Sequence, residues 1–185
     1  MSKYNNGNGL YSASTTNTVI MSDSTISDNK ENGVEYKGNL NIVSDCIIID
    51  NGNAGVVGGF NAEVNNNQIN GNSGNGITLT SGDNCSVIST NRIHNNTGYG
   101  IYINSIENMI SGNIITNSGN DGIEITGSSN DNIINSNIIT SNTGKGLDIL
   151  SGSTDNIVTS NNMKGNTGTN FDDQGTSTSS STNKT

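Results

Sequence analysis

Proline and tryptophan are absent from this 185-residue chain, and aromatic residues make up only 4% of it. Cationic residues are scarce, seven Lys and Arg against 16 Asp and Glu, and there is a single histidine. That shortage argues against nucleic acid as a partner, because its phosphates need Lys and Arg. No apolar run approaches the roughly 20 residues required to cross a bilayer, so membrane insertion is not expected. Met1–Leu10 holds no apolar core of a signal peptide. The chain is therefore expected either to be made without a secretion signal or to have lost a signal or a larger parent. Apolar residues, at 29%, are too few for a globule around one central core. Two cysteines, Cys46 and Cys85, fall at different points of the repeat described below and two coils apart. A disulfide needs Cα atoms within about 7 Å, so both are expected to be free thiols.

Low hydrophobicity and a net charge of -9 are also marks of disorder. Two features point elsewhere. Charged residues are only 12% of the chain. The polarity comes instead from Asn, Ser, Thr and Gly, which build turns, and Ile and Val recur at fixed intervals.

The interval is the informative part. A Gly-apolar-x-apolar unit begins at Gly9, Gly33, Gly55, Gly76, Gly100, Gly122 and Gly146, with a degenerate copy at Asn170. A second apolar position follows at Ile20, Ile42, Val64, Ile88, Ile110, Ile134 and Val158. Three residues beyond each stands an amide or acid: Asp23, Asp45, Asn67, Asn91, Asn113, Asn137 and Asn161. Two further on lies a third strand position: Thr25, Ile47, Ile69, Ile93, Ile115, Ile139 and Met163. Another polar column precedes the Gly: Asn29, Asn51, Asn72, Asn96, Ser118, Asn142 and Asn166.

Three short strands and three turns per coil follow. The fold class expected is all-β, a right-handed parallel β-helix of about seven coils, since parallel crossovers are right-handed. Asn and Asp at the bends tolerate the left-handed backbone conformation. Stacked amides can hydrogen-bond from coil to coil. The glycines serve either positive φ or a close backbone approach. The expected boundaries are a lead-in over 1–8, the solenoid over 9–174, and a disordered Ser/Thr/Asn tail over 175–185.

The Asn-x-Ile steps, Gly-Ile-x-Ile strands and Asn ladder resemble the parallel β-helix repeats of pectate lyases, polygalacturonases, phage tailspikes and NosD-type periplasmic proteins. The resemblance covers roughly residues 9 to 173. It implies a substrate groove along the first sheet, an extracellular, cell-surface or virion location, and, through the tailspikes, a trimer.

Chemistry would sit on the outward row of the first sheet: Tyr11, Glu35, Val57, Thr78, Tyr102, Glu124, Asp148 and Asp172. The row before it reads Asn8, Asn32, Ala54, Asn75, Tyr99, Asp121, Lys145 and Thr169. Coils stack about 4.8 Å apart, so carboxylates in adjacent coils approach the separation of a retaining glycosidase pair. Tyr99, Tyr102, Asp121, Glu124 and Lys145 form the candidate sugar-binding set. Glu124, Asp148 and Asp172 are the catalytic candidates if the chain is an enzyme. Asp121, Glu124 and Asp148 suit Ca²⁺, which takes carboxylate oxygens; no cofactor is otherwise required. A plain solvated acidic face accounts for the same residues.

Asn120-Asp121-Gly122-Ile123 is similar to the Asn-x-Asp-Gly stretch of polygalacturonases but one residue short. The paired aspartates expected a coil later are replaced by Lys145-Gly146-Leu147-Asp148, and the catalytic histidine has no counterpart. The single arginine, Arg92, and His94 fall on the third strand, away from the acidic row. Three readings stand: a module that binds polysaccharide without turnover, a polysaccharide hydrolase or lyase, and a structural spacer of an adhesin or fibre.

Overall fold

A computed structural model describes residues 1–13 and 18–185. It is a right-handed parallel β-helix, three strands to a coil, with no helix among the described residues. Three sheets of eight strands run the length of the molecule. The first contains the Gly-led strands, from Leu10–Ser12 to Phe171–Asp173. The second runs from Ile20–Ser22 to Ser179–Ser181, and the third from Ser2–Lys3 to Asn162–Lys164. Every strand is two or three residues long and pairs in parallel with its counterpart one coil away.

Such short strands leave one or two side chains each for the interior, and β-branched residues fill them. Ile77, Ile101 and Ile123 stack in the first sheet, Ile88, Ile110 and Ile134 in the second, and Ile93, Ile115 and Ile139 in the third. All are fully buried. A chain with few apolar residues thus buries nearly all of those that matter, in a core one residue thick per coil.

Polar ladders hold the corners. Between the second and third sheets, Asn67, Asn91, Asn113, Asn137, Asn161 and Asn183 stack in register. Each backbone N–H and Nδ2 donates to the Oδ1 of the next amide at 2.9 to 3.1 Å. Nδ2 also donates back to a carbonyl of the preceding coil, as from Asn113 to Ile88 O at 2.9 Å. A buried amide so satisfied carries little desolvation cost. The expected second column is present as a ladder from Asn5 to Asn96 and again from Ser118 to Asn166, with the link broken at Ser118, whose Oγ has no partner. A third, not anticipated, joins Asn108, Asn132 and Asn156 at the corner between the first and second sheets. Ala62 and Ser86 occupy its earlier rungs, which hides it from a search for Asn.

The structure corrects the bends, the register of the first coils and the C-terminal segment, and it decides the role of the glycines. The left-handed residue at each bend is the one before the ladder Asn, such as Thr90 (φ 55°) and Ser136 (φ 56°), not the Asn itself. In the first two coils the register is one residue later than expected. Met21 and Val43, not Ile20 and Ile42, align with Val64, and Ile26 and Ile48, not Thr25 and Ile47, lead to Ile69. Asp45 takes the left-handed slot and Cys46 the ladder slot, so the amide that marks the corner elsewhere is missing there. The repeated glycines serve close approach: a Cβ on Gly76 would lie 2.5 Å from both Gly100 O and Ile93 Cγ2. Finally, 175–185 is not an unstructured tail. Ser179–Ser181 pairs with Ile157–Thr159, Thr176 bridges Thr154, and Asn183 extends the ladder. Backbone pairing and an amide in register add a strand without any apolar side chain. The lead-in likewise pairs, Ser2–Lys3 against Ile26–Ser27. Both cysteines are free, Cys46 buried and Cys85 exposed.

Candidate functional site

The outward row of the first sheet is reproduced pair by pair. Tyr102 lies opposite Glu124, Glu124 opposite Asp148, and Asp148 opposite Asp172. The strands Ile101–Ile103, Ile123–Ile125 and Leu147–Ile149 place them there, because their flanking isoleucines and leucine are locked inward.

The carboxylates differ from a solvated face in their burial. Glu124 is 9% exposed and Asp148 4%, although both stand on the outer side of the sheet. Asp121, Glu124 and Asp148 each bring an oxygen within 4.8 Å of the others. Burial pushes the Glu124 carboxyl above its ordinary value, and the nearby Asp121 and Asp148 add to the effect. Burial raises Asp121 as well. Part of Asp121 has a structural duty: its Oδ1 accepts the Lys145 backbone N–H at 2.5 Å. Asn8, Asn32 and Asn75 perform that same cap for the residue one coil on. Asp121 is thus an acid that makes the cap an amide makes in three other coils.

Lys145 binds two of the three catalytic candidates. Its Nζ lies 2.7 Å from Oδ2 of Asp148 and 2.6 Å from Oδ2 of Asp172. These hydrogen bonds hold Lys145 firmly charged and keep Asp172 below the usual carboxylate range. The other oxygen of Asp148, Oδ1, is buried and has no hydrogen-bond partner.

Tyr99 and Tyr102 sit one coil earlier, ring centroids 5.5 Å apart and tilted by 38°. Burial, with Glu124 close by, pushes the Tyr99 hydroxyl up to about 12. Beside Tyr99 opens a cleft of about 370 Å³, lined by Gly119, Asn120, Asp121, Thr143 and Gly144 as well. The sequence gives no signal for Thr143 or the two glycines, because similar turn residues recur in other coils. The fold therefore brings Asp121, Glu124 and Asp148 together, joins Lys145 to Asp148 and Asp172, and sets the Tyr99–Tyr102 pair one coil earlier. Arg92 and His94 lie on the third sheet, as expected. Burial and the neighbouring Arg92 push His94 below its usual value.

No curated protein matches the chain. Solved structures do. The A-module of the Azotobacter vinelandii mannuronan C-5 epimerase AlgE6 superposes with a TM-score of 0.70 at 17% identity, covering 85% of this chain and 44% of that one. The AlgE4 A-module from the same organism gives 0.65 at 19% identity, covering 77% and 42%. Pectate lyase Pel9A gives 0.59 at 14%, covering 76% and 46%. The chain thus spans less than half the length of these proteins, and at such identities the likeness concerns the fold. A family model described as "Periplasmic copper-binding protein (NosD)" matches residues 1–185, the whole chain, and the chain belongs to the NosD family.

Proposed function

We propose that the chain acts outside the cytoplasm as a β-helix module that binds polysaccharide on its first sheet without turning it over. The observation that carries this reading is the Tyr99–Tyr102 pair, in which Tyr99 lines the cleft with Asp121 and Tyr102 lies opposite Glu124 in the adjacent coil. Aromatic faces stack on sugar rings, and carboxylates accept hydrogen bonds from sugar hydroxyls. The named activities of the structural neighbours, on mannuronan and pectate, and the family's periplasmic description support the same direction.

Absence of turnover rests on Lys145. It engages Asp148 and Asp172, so of the three catalytic candidates only Glu124 keeps a carboxyl free of a cation. Copper, which the family description names, does not fit the donors present. Among the described residues the one cluster of metal-ligand type is Asp121, Glu124 and Asp148, an all-oxygen set. Copper favours imidazole and sulfur ligands, and His94, Cys46 and Cys85 do not converge with one another or with that cluster. Oxygen sets suit Ca²⁺ instead.

A glycan array probed with the purified chain, with and without chelator, tests the reading. Binding to a defined glycan class is expected. No binding to any glycan under either condition contradicts it and favours a spacer. One observation favours a second reading, a polysaccharide hydrolase or lyase: Glu124 has the raised carboxyl of a general acid, with other carboxylates within 4.8 Å. New reducing ends or unsaturated products from an acidic polymer establish it; an inert protein across a broad polymer panel removes it.

A further inference from the structure

Lys145 shows how this acidic row receives a primary ammonium. It bridges Asp148 and Asp172, carboxylates of adjacent coils in one row. One coil earlier the row repeats the arrangement with Glu124 beside Asp148. There the place of the lysine is taken by Asp121, and none of the ion pairs among the described residues reaches Glu124. The pair is built like its neighbour, but Glu124 has no cation and Asp148 shares Lys145 with Asp172.

A second observation points to a missing donor. Oδ1 of Asp148 has no partner, on a side chain only 6% exposed. A buried carboxylate oxygen without a hydrogen bond is costly. The Asp148 carboxyl also belongs to the group whose oxygens lie within 4.8 Å of those of Asp121 and Glu124. Charge narrows the choice of ligand. Four carboxylates, Asp121, Glu124, Asp148 and Asp172, share this face with one lysine that is already engaged. A polyuronate would add like charge to it, and such juxtaposition disfavours a partner.

We propose, resting on the polysaccharide reading above, that the sugar bound in this groove carries a free primary amine. Its ammonium bridges Glu124 and Asp148 as Lys145 bridges Asp148 and Asp172, while the ring stacks on Tyr99 and Tyr102. The ligand class is a hexosamine polymer with unacetylated amines. This sets the chain apart from the structural neighbours whose names carry mannuronan and pectate.

The test is calorimetric titration of the full chain, in chelator, with three oligosaccharides of equal length: glucosamine, N-acetylglucosamine and mannuronate. The glucosamine oligomer is expected to bind roughly tenfold or more tightly than its acetylated form, the scale of one charge-assisted hydrogen bond. Glu124→Gln is expected to weaken the glucosamine oligomer several-fold more than the acetylated oligomer, so that the margin between them shrinks. Equal affinity for the acetylated oligomer, preference for mannuronate, or binding restored only by added Ca²⁺ overturns the amine and leaves the polysaccharide reading standing. Binding of none of the three, together with a blank glycan array, removes both. The comparison among the three ligands needs only the unmodified protein, so a variant that fails to fold does not blunt it.

Discussion

Glu35 and Glu124 occupy the same outward row of the same sheet, four coils apart, and their carboxyls are driven in opposite directions. Burial acts to raise both. At Glu35 it is outweighed by the Lys37 ammonium at 2.8 Å and by Nδ2 of Asn32 and Asn8, so the carboxyl sits below its ordinary value. At Glu124 burial prevails, and Asp121 and Asp148 add to it. The scaffold is of one kind in the two regions: Gly-led strands and inward apolar residues. What differs is who faces the carboxylate. Donors supplied by the chain itself complete the N-terminal end of this row, whereas its C-terminal end gathers more carboxylates than Lys145 can answer.

The largest expected effect comes from breaking what the two halves share. Asn113→Ala removes a rung between them and leaves the Asn91 N–H and Nδ2 without their acceptor. A loss of about 3 kcal/mol is expected, the scale of several buried hydrogen bonds undone at once. Urea unfolding measures it, and a loss under about 1 kcal/mol would show the ladder to be ornamental rather than structural.

Removing the lysine sharpens the contrast next. Lys145→Met leaves Asp148 buried without a counter-charge, at a cost of about 2 kcal/mol near neutral pH because the lysine itself is partly exposed. The part of that cost that comes from Asp172, which Lys145 holds below the usual carboxylate range, should fade as the pH falls through its lowered value. A flat pH dependence of the difference between variant and parent would contradict the role given to this ion pair.

The two glutamates then predict opposite signs. A raised folded pKa means that ionised Glu124 costs stability above that value, and the cost fades as the pH falls toward the ordinary carboxylate value. Glu124→Gln should therefore stabilise at neutral pH. Glu35, held low, contributes stability that is present above the ordinary carboxylate value and lost as the pH falls through its lowered one. Glu35→Gln should destabilise at neutral pH and become silent in acid. Each effect is about 1 kcal/mol or less. Thermal melts across pH read both, and shifts of the same sign would erase the distinction between the halves.

The smallest effect, at Ile47, checks the register of the first coils against its neighbour Ile48, where the loss matches that of a ladder rung. Ile47 faces solvent and Ile48 is fully buried. Ile47→Thr should change stability by less than about 0.5 kcal/mol, whereas Ile48→Ala should cost about 3. The reverse order would restore the alignment that the bare spacing suggests.

Much of this architecture is legible in the residues because the repeat is enforced twice, by inward Ile and by Asn that must meet the Asn of the next coil. Where both markers are present, from Val64 onward, the spacing locates the strands to the residue. Where one fails, the reading slips. Cys46 stands in a ladder slot, and the run Ile47-Ile48-Ile49 offers three equivalent choices, so the register drifts by one. The last coil is lost from view for a related reason: Ser179–Ser181 pairs through its backbone, and side-chain hydrophobicity carries no trace of that. The third ladder is masked by Ala62 and Ser86. In the site, the outward row can be counted off from the strands, so the meeting of Glu124, Asp148 and Asp172 is predictable. The burial of Glu124 and Asp148 is not, since it depends on the rings and turns of neighbouring coils. Nor does spacing reveal that Lys145 turns toward two carboxylates at once.

The most direct measurement probes both halves of the first sheet on one glycan array. The parent chain, a Tyr99→Ala/Tyr102→Ala variant and a Tyr11→Ala control from the N-terminal half are compared at equal concentration after a check that each is folded. The account predicts that the double variant loses the glycan signal while the control keeps it. Retention of the signal by the double variant, or equal loss in the control, would contradict the placement of the binding surface.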